Sequence, residues 1–147
     1  MEEKPRRQFF IVKSLIVNDE GKILLVKRHR PWHKEAHNKW EFPGGKIDFG
    51  EKPEETCIRE AKEESGVDIE IDYMIPKIHI GKWIFPDRES QQIILCYKCN
   101  YKGGNFCLED HGVSDVKWCD LKEIDTLDCL PGTLIFLEEY KKNKDLG

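Results

Sequence analysis

Residues 40–67 read WEFPGGKIDFGEKPEETCIREAKEESGV. The first half carries turn residues around one short strand, and the second half predicts a helix over 53–66. Pro53 suits the first turn of that helix, and Gly66 can end it. Six glutamates lie between residues 51 and 64. Acidic side chains stabilise the first turn of a helix, but these continue to its far end, which indicates a role other than helix stability.

The whole chain has the composition of one small globular domain. Its 147 residues, 39% of them hydrophobic and 35% charged, predict a single domain over 1–147 that can bury a core. The net charge of −4 lacks the basic excess of a general nucleic-acid-binding protein, so we expect no polymeric nucleic acid as partner. The first residues, MEEKPRRQFF, have no signal-peptide pattern, and no apolar run approaches a membrane span. We therefore expect a cytoplasmic protein without a membrane partner.

Alternating apolar residues and turn residues predict one mixed α/β fold. Strands are predicted over 9–17, 22–28, 67–85 (one or two strands), 90–101 and 113–121. The turn signal NDEG joins the first two strands, which predicts a hairpin. The stretch RHRPWHKEAHNK (28–39) has no period and predicts a loop. The stretch PGTLIFLEEYKKN (131–143) predicts a closing helix, and LKEIDTL before it predicts a short helix or turn.

Three glutamates of the predicted helix share one face. At 100° per residue, Glu60, Glu63 and Glu64 fall within an arc of about 100°. A neighbouring narrow face carries the residues expected to be buried: Cys57, Ile58, Ala61 and Ser65. Like charges one turn apart destabilise a helix, so an ordinary solvated acidic face explains the three glutamates poorly. Clustered carboxylates are what Mg²⁺ and Mn²⁺ prefer, and such ions commonly bridge a phosphate substrate. We therefore predict a divalent-metal site.

The same stretch resembles the signature of a known family. The pattern Gly45-x5-Glu51-x7-Arg59-Glu60-Ala61-x-Glu63-Glu64-x-Gly66-Val67 matches the Nudix box, over 45–67, at every fixed position. Ala61 stands where the family more often has a larger aliphatic residue. The stretch WEFPGGKI resembles the MutT-like branch, and the order of elements is similar to a complete Nudix domain. The resemblance implies a Nudix fold, a mixed β-sheet sandwiched between helices (α/β/α).

The resemblance also implies a reaction and a metal site. Nudix proteins hydrolyse a nucleoside diphosphate linked to another group X, using Mg²⁺ or Mn²⁺ held on the box helix. Metal binding would fall to the carboxylates of the box and to a backbone carbonyl of its glycine pair: Gly44, Gly45, Glu60, Glu63 and Glu64. A homodimer is a further expectation, since many relatives are dimers.

Catalytic roles follow from the same resemblance. Arg59 would hold a glutamate in position, and Glu51 would pair within the loop. A carboxylate that is not fully occupied by metal would be the general base, Glu60 first and Glu63 next. A fourth carboxylate often comes from outside the box, and the candidates are Glu109, Asp110 and Asp115. Each of these three fits a polar loop before a strand equally well.

The substrate is less well defined than the chemistry. The MutT-like branch cleaves purine triphosphates, often oxidised ones such as 8-oxo-dGTP, to the monophosphate and pyrophosphate. Branch members that read oxidised guanine use an asparagine just ahead of the last helix, but DCLPGT (128–133) has none. The sequence marks of ADP-ribose hydrolases and diadenosine polyphosphate hydrolases are also absent. ADP-ribose or another nucleoside diphosphate derivative is the alternative substrate, and a non-catalytic nucleotide-sensing Nudix module is the alternative of another class.

Substrate contacts are expected mainly from the predicted loop. Its cations and Trp32 could hold phosphates and stack a base, although a solvated loop with Trp32 partly buried is an equal alternative. The substrate-binding candidates are Arg28, Arg30, Trp32, Lys39 and Asp128. The aromatic residues at strand positions are expected in the core rather than on a base: Trp40, Trp83 and Phe85.

The six cysteines predict buried thiols rather than disulfides, because we expect a cytoplasmic protein. The one candidate zinc set is Cys96, Cys99, Cys107 and Cys119. Residues 90–101 predict a strand, in which residues three apart point to opposite faces. This spacing argues against a zinc site.

Overall fold

The computed structural model of the chain describes residues 3–108 and 112–144. The elements within these ranges are β1 (Arg6–Val17), β2 (Ile23–Arg28), β3 (Trp40–Glu41), β4 (Gly44–Lys46), α1 (Pro53–Ser65), β5 (Asp68–Met74), β6 (His79–Ile84), β7 (Glu89–Gly103), β8 (Val113–Cys119), α2 (Leu121–Ile124) and α3 (Pro131–Asn143). The region predicted as one or two strands over 67–85 is two strands. The predicted loop over 28–39 and both predicted helices are confirmed.

The strands join one mixed sheet in which β1 and β7 are parallel neighbours. They pair along the full length of β1, from Arg6 opposite Glu89 to Val17 opposite Asn100. The other edge of β7 pairs antiparallel with β6 and then with β5. On the far side, β2 pairs antiparallel with β3 and β8. The order along the main path is therefore β3-β2-β1-β7-β5.

The predicted hairpin between β1 and β2 is right at its turn and wrong along its length. The turn forms as expected, with the backbone N–H of Gly21 bonded to the carbonyl of Asn18 at 2.9 Å. The strands then pair only at Val17 and Ile23. Farther from the turn, β4 occupies that edge of β1, with Lys46 opposite Ile11. The strand β4 thus replaces β2 beside most of β1.

Helices cover both faces of the sheet, which confirms the predicted α/β/α arrangement. The α1 side holds a cluster of buried residues that includes Val12, Ile16, Cys57, Ala61 and Cys99. The α3 side holds a second cluster that includes Leu15, Phe42, Cys96, Phe136 and Leu137. Alternate residues of β1 supply both clusters, as expected for a strand buried on two faces. No helix within 3–108 and 112–144 is long and apolar enough to cross a membrane.

The cysteines do not form the candidate zinc set. Cys96 lies in the cluster on the α3 side and Cys99 in the cluster on the α1 side, as their spacing predicts. Cys107 is exposed, whereas Cys119 is buried on the α3 side. The Cys99 thiol instead lies 3.8 Å from that of Cys57, inside the core behind α1.

The buried face of α1 differs from the predicted one at two residues. Cys57, Ala61 and Ser65 are buried as expected, but Ile58 is 46% exposed. Ser65 points in nearly the same direction as Ile58, yet in this direction the helix is covered only at its carboxyl end. There the backbone N–H of Cys107 bonds to the Ser65 carbonyl at 3.1 Å. Thr56 is buried instead, since its hydroxyl donates to Glu51 at 2.6 Å.

Candidate active site

Local signals in the sequence fix both ends of α1. Pro53 occupies the first turn, where a missing N–H costs nothing. The Glu55 carboxylate accepts a hydrogen bond from the backbone N–H of Lys52 at 3.1 Å. Gly66 ends the helix with a φ of 86°, a left-handed conformation that favours glycine. The helix therefore delivers its glutamates in a defined direction.

Arg59 connects the carboxylates on either side of it. Its Nε and Nη2 donate to the two carboxylate oxygens of Glu51, at 2.8 and 3.0 Å. Its Nη1 donates to Glu60 at 2.9 Å and to Glu63 at 3.2 Å. These hydrogen bonds from Arg59 lower the pKa of Glu51 to about 2, so this carboxylate stays charged. One guanidinium thus orients three glutamates.

Glu64 is held separately, from the glycine turn. Its Oε1 accepts a hydrogen bond from the backbone N–H of Gly44 at 2.7 Å. Burial raises the pKa of Glu64 to about 8, although the nearby Lys13 opposes this shift. Burial also raises the pKa of Glu60, against the opposing charge of Arg59. At both carboxylates the effect of burial on the pKa therefore outweighs that of the neighbouring cation.

The glycine pair brings backbone against these carboxylates. A Cβ at Gly45 would lie 2.5 Å from the carboxyl carbon of Glu60, and a Cβ at Gly44 would overlap the Val12 carbonyl oxygen. The backbone around Gly44 therefore leaves no room for a side chain, whereas a side chain at Gly45 would displace the Glu60 carboxylate. The turn therefore places its main chain directly beside Glu60 and Glu64.

The cluster suits a divalent cation. Within residues 3–108 and 112–144, no three His, Cys, Asp or Glu side chains already form a group that could hold a metal ion. Glu60 and Glu63 turn instead toward the Nη1 atom of Arg59. The atoms available as metal ligands are nonetheless hard oxygens. A cation beside Glu60 and Glu64 would offset the cost of burying their charged forms, which is what raises their pKa values. The residues present fit Mg²⁺ or Mn²⁺.

Of the three candidates for a fourth carboxylate, Asp115 is the one that the structure describes, and it is not brought to this cluster. Glu109 and Asp110 lie outside the described residues. Asp115 lies in β8 opposite Lys27, and its carboxylate accepts a hydrogen bond from the backbone N–H of Val116 at 2.8 Å. Among the described residues, no hydrogen bond or ion pair joins Asp115 to the glutamates of α1.

A buried group of three charged residues lies next to the cluster and was not predicted from the sequence. Lys13 Nζ donates to Glu41 at 2.6 Å, and Arg28 Nη1 lies 3.3 Å from the other oxygen of that carboxylate. Only 7% of the Glu41 side chain is exposed. Two signals were present, a lysine inside the apolar run FFIVKSLIV and a glutamate between Trp40 and Phe42. An unpaired charge is not stable in such surroundings.

We expect Glu41→Gln to lower the free energy of unfolding by about 3–5 kcal/mol at pH 7, because it leaves Lys13 and Arg28 partly buried without their partner. Urea denaturation would measure the change. The cations Lys13 and Arg28 hold the pKa of Glu41 below its ordinary value of 4.5, despite the opposing effect of burial. The ionised form stabilises the fold above that pH, and this contribution is lost as the pH falls through the folded pKa. The difference between the two proteins should therefore shrink below pH 4.5.

The exposed Glu70, paired with Lys102 at 3.8 Å, supplies the control for this prediction. Glu70→Gln should change the free energy of unfolding by less than about 1 kcal/mol. Equal effects of the two substitutions would contradict a stabilising role for Glu41.

The buried charges form one wall of a cavity of about 320 Å³, here called the inner cavity. It lies between β1, β6 and the start of α3. Its polar groups include Lys13, Arg28, Glu41, His79, Gln92 and Thr133, and its apolar lining includes Ile80, Trp83, Leu130 and Phe136. Gln92, which is buried, was not predicted as a functional residue, whereas Thr133, also buried, was considered from the sequence as a substitute for a base-reading asparagine. A small apolar cavity with a few fixed polar groups is typical of a ligand site.

A second, outer cavity of about 650 Å³ adjoins the first and shares the wall residues Ile11, Arg28, Trp83 and Gln92. The predicted substrate-binding residues Arg28, Arg30 and Trp32 line the outer cavity. Among the described atoms, Arg28 Nε is buried without a hydrogen-bond partner. This donor is available to an acceptor on a ligand.

The other two predicted substrate-binding residues are elsewhere. Lys39 Nζ pairs with Asp128 at 2.7 Å, and neither residue lines the inner or the outer cavity. The chain around Asp128 runs beside β3, where the backbone N–H of Trp40 bonds to the Asp128 carbonyl at 2.9 Å. This pairing brings two opposite charges together outside the cavities.

Known proteins resemble this chain in sequence and in fold. A family model described as "NUDIX domain" matches residues 9–135. An 8-oxo-dGTP diphosphatase from Escherichia coli K12 is 35% identical over 82 residues, which are 51% of this chain and 62% of that protein. An RNA pyrophosphohydrolase from Acinetobacter baylyi is 43% identical over 56 residues, which are 38% of this chain and 30% of that protein. The chain therefore spans less than two thirds of the length of either relative.

A solved structure covers more of the chain. The crystal structure of a MutT NUDIX hydrolase from Burkholderia pseudomallei superposes with a TM-score of 0.73. The two sequences are 26% identical, and the match covers 90% of this chain and 98% of that one.

Proposed function

The chain belongs to the Nudix family, in its MutT-like branch, and on that premise we propose that it is a pyrophosphohydrolase of nucleoside triphosphates. The products would be the nucleoside monophosphate and pyrophosphate, and the cofactor Mg²⁺ or Mn²⁺. The observation that carries the proposal is the arrangement of Glu60, Glu63 and Glu64 around Arg59 and the glycine turn. An ordinary acidic surface would not need a glycine pair packed against Glu60 and bonded to Glu64.

The metal would be held by Glu60, Glu63 and Glu64 together with backbone of Gly44 or Gly45. When bound, the ion supplies charge neutralisation for the pyrophosphate and activation of the attacking water. Glu60 would accept the proton of that water, since its carboxylate is buried and its pKa is raised by burial. Arg59 would orient Glu60 through the hydrogen bond at 2.9 Å.

The inner cavity would receive the nucleoside. Its wall offers Lys13 and Arg28 toward phosphate oxygens, with the unpartnered Arg28 Nε as a further donor among the described atoms. Gln92 and Thr133 would contact the base from the buried wall. An oxidised purine such as 8-oxo-dGTP is the first candidate, because an E. coli relative is named for it. Base contacts through Gln92 would replace the asparagine that residues 128–133 lack.

A panel assay tests this proposal. Formation of the nucleoside monophosphate and release of pyrophosphate would both be measured with Mg²⁺ on canonical and 8-oxo purine triphosphates, pyrimidine triphosphates and ADP-ribose. We expect pyrophosphate release from one triphosphate, and loss of this activity when EDTA removes the metal. Activity on ADP-ribose alone would overturn the triphosphate substrate but keep the reaction. Nucleotide binding without any hydrolysis would favour the non-catalytic nucleotide sensor.

A further inference from the structure

The ammonium of Lys13 lies between the inner cavity and the glutamate cluster. Lys13 lines that cavity, and only 16% of its side chain is exposed. Its charge also opposes the rise in the pKa of Glu60 and of Glu64. The ammonium is therefore close to both carboxylates, because the interaction between two charges weakens with distance. A phosphate chain that runs from the cavity to the glutamates passes beside Lys13.

The fold holds the Lys13 side chain in place at two points. Its Nζ donates to Glu41 at 2.6 Å, and Arg28 holds the other oxygen of that carboxylate at 3.3 Å. Its aliphatic part lies over Gly44, the residue opposite it in β4, where a Cβ would be 2.7 Å from the Lys13 Cδ. A lysine fixed in this way loses little further freedom when it binds a phosphate.

The stability of the fold does not explain a lysine at this position. Ile11 and Leu15, two residues away on either side in β1, share the face of Lys13 and are apolar. Apolar side chains of similar volume can replace a buried group of charges without loss of stability, or with a gain. The buried ammonium is better explained by an anionic ligand, and the phosphates of a nucleotide supply one.

We propose that Lys13 is a catalytic residue whose ammonium contacts the phosphoryl group under attack, and that Glu41 positions it. This inference rests on the proposed function, which places the nucleoside in the inner cavity and the metal on the glutamates. The water oxygen forms a bond to phosphorus, the bond from phosphorus to the bridging oxygen breaks, and the electron pair stays on that oxygen. The proton of the water goes to Glu60, and Lys13 keeps its own protons.

The contribution of Lys13 to this step is a fixed positive charge. Negative charge on the phosphoryl oxygens is stabilised in the transition state by cations that are already in place. An ammonium held by Glu41 supplies such a charge beside the glutamate cluster, as a second metal ion does in two-metal sites. Because Lys13 repels a cation bound to Glu60 and Glu64, its effects on the rate and on metal affinity are opposite in sign.

Kinetics and metal binding together test this inference on the full chain. Lys13→Gln removes the charge but keeps a donor for Glu41. We expect kcat on the substrate that the panel selects to fall about a hundredfold with little change in KM, as for the loss of one preorganised donor. Binding of Mn²⁺ without nucleotide, measured by electron paramagnetic resonance, should become about threefold tighter, because the repelling charge is gone.

Lys98→Gln is the matched control for this variant. Lys98 is also a strand lysine, 15% exposed and paired with Asp72 at 2.9 Å, but it lines neither the inner nor the outer cavity. Its substitution should change neither kcat nor the affinity for Mn²⁺. Lys13→Arg, which keeps the charge, should recover at least part of the lost rate.

A double variant covers the case in which Lys13→Gln is too unstable to measure. Lys13→Met combined with Glu41→Gln removes both charges of the pair, so that neither is left buried without the other. It should show the same fall in kcat and the same direction of change in Mn²⁺ affinity. Urea denaturation would establish that each variant is folded.

Two results would overturn the inference and leave the proposed function intact. One is an unchanged kcat in folded Lys13→Gln. The other is a loss of kcat together with weaker Mn²⁺ binding, because a purely structural role of Lys13 would impair both. A wild-type chain that hydrolyses no member of the panel would instead remove the proposed function, and the catalytic role of Lys13 with it.

Discussion

Glu60→Gln should lower kcat by about a thousandfold with little change in KM, which is the loss expected when a general base is removed. Glutamine has the shape of glutamate, so it can keep the contact with Arg59 Nη1, now at 2.9 Å. It cannot accept the proton of the attacking water. Steady-state kinetics on the triphosphate that the panel selects would measure the effect. The pH dependence of kcat should also lose its acidic limb, since that limb reports the protonation of the base.

The control for this variant is Glu55→Gln on the same helix. Glu55 is exposed in the first turn, where glutamine also serves the capping interaction. Its kinetics should match those of the wild type. If Glu60→Gln keeps most of its activity while Glu63→Gln loses it, the base is Glu63 and our assignment is wrong.

Arg59→Lys should reduce activity by about 10- to 100-fold, the usual effect of losing a residue that orients metal ligands. Lysine keeps the charge but cannot reach Glu51, Glu60 and Glu63 at once, because it lacks the planar fork of arginine. The Mg²⁺ concentration that gives half of the maximal rate should rise, since the carboxylates are no longer held in one arrangement. Magnesium titrations of the rate would measure this shift.

Lys62→Ala provides the matched comparison for Arg59. Lys62 lies three residues further along α1 and pairs with Asp68 at 3.1 Å, away from the glutamate cluster. Its removal should leave the magnesium dependence unchanged. An Arg59→Lys protein with the magnesium dependence of the wild type would contradict a role for Arg59 in positioning the ligands.

The parts of the fold that follow from neighbouring residues could be predicted from the sequence. The ends of α1 follow from Pro53 and Gly66, and the shared face of Glu60 and Glu64 follows from helical periodicity. Ile58 was misplaced because periodicity gives only a direction. Which part of a helix is covered depends on residues that are distant in the sequence. Here they are the residues around Cys107, whose backbone N–H bonds to the Ser65 carbonyl.

The least predictable features of the site are those assembled across the sheet. Lys13, Arg28 and Glu41 come from three strands, and nothing local indicates that their charges meet. The pairing of Lys39 with Asp128 likewise depends on a backbone contact between segments 89 residues apart. Residue type alone gives each of these side chains a charge. It could not distinguish partners within the protein from partners on a ligand.

The parallel pairing of β1 with β7 has a consequence for how the chain folds. The first contact of this ladder joins residues 83 positions apart, Arg6 and Glu89, and the last joins Val17 to Asn100. During synthesis, β1 cannot complete this pairing until β7 has left the ribosome. Until then, the apolar side chains of β1 remain exposed. The helix that carries the glutamates packs on β1, β4 and β5, so its packing also stays incomplete until β1 is paired. An amino-terminal fragment that ends after the helix would therefore contain the glutamates of the proposed metal site without a stable scaffold to hold them.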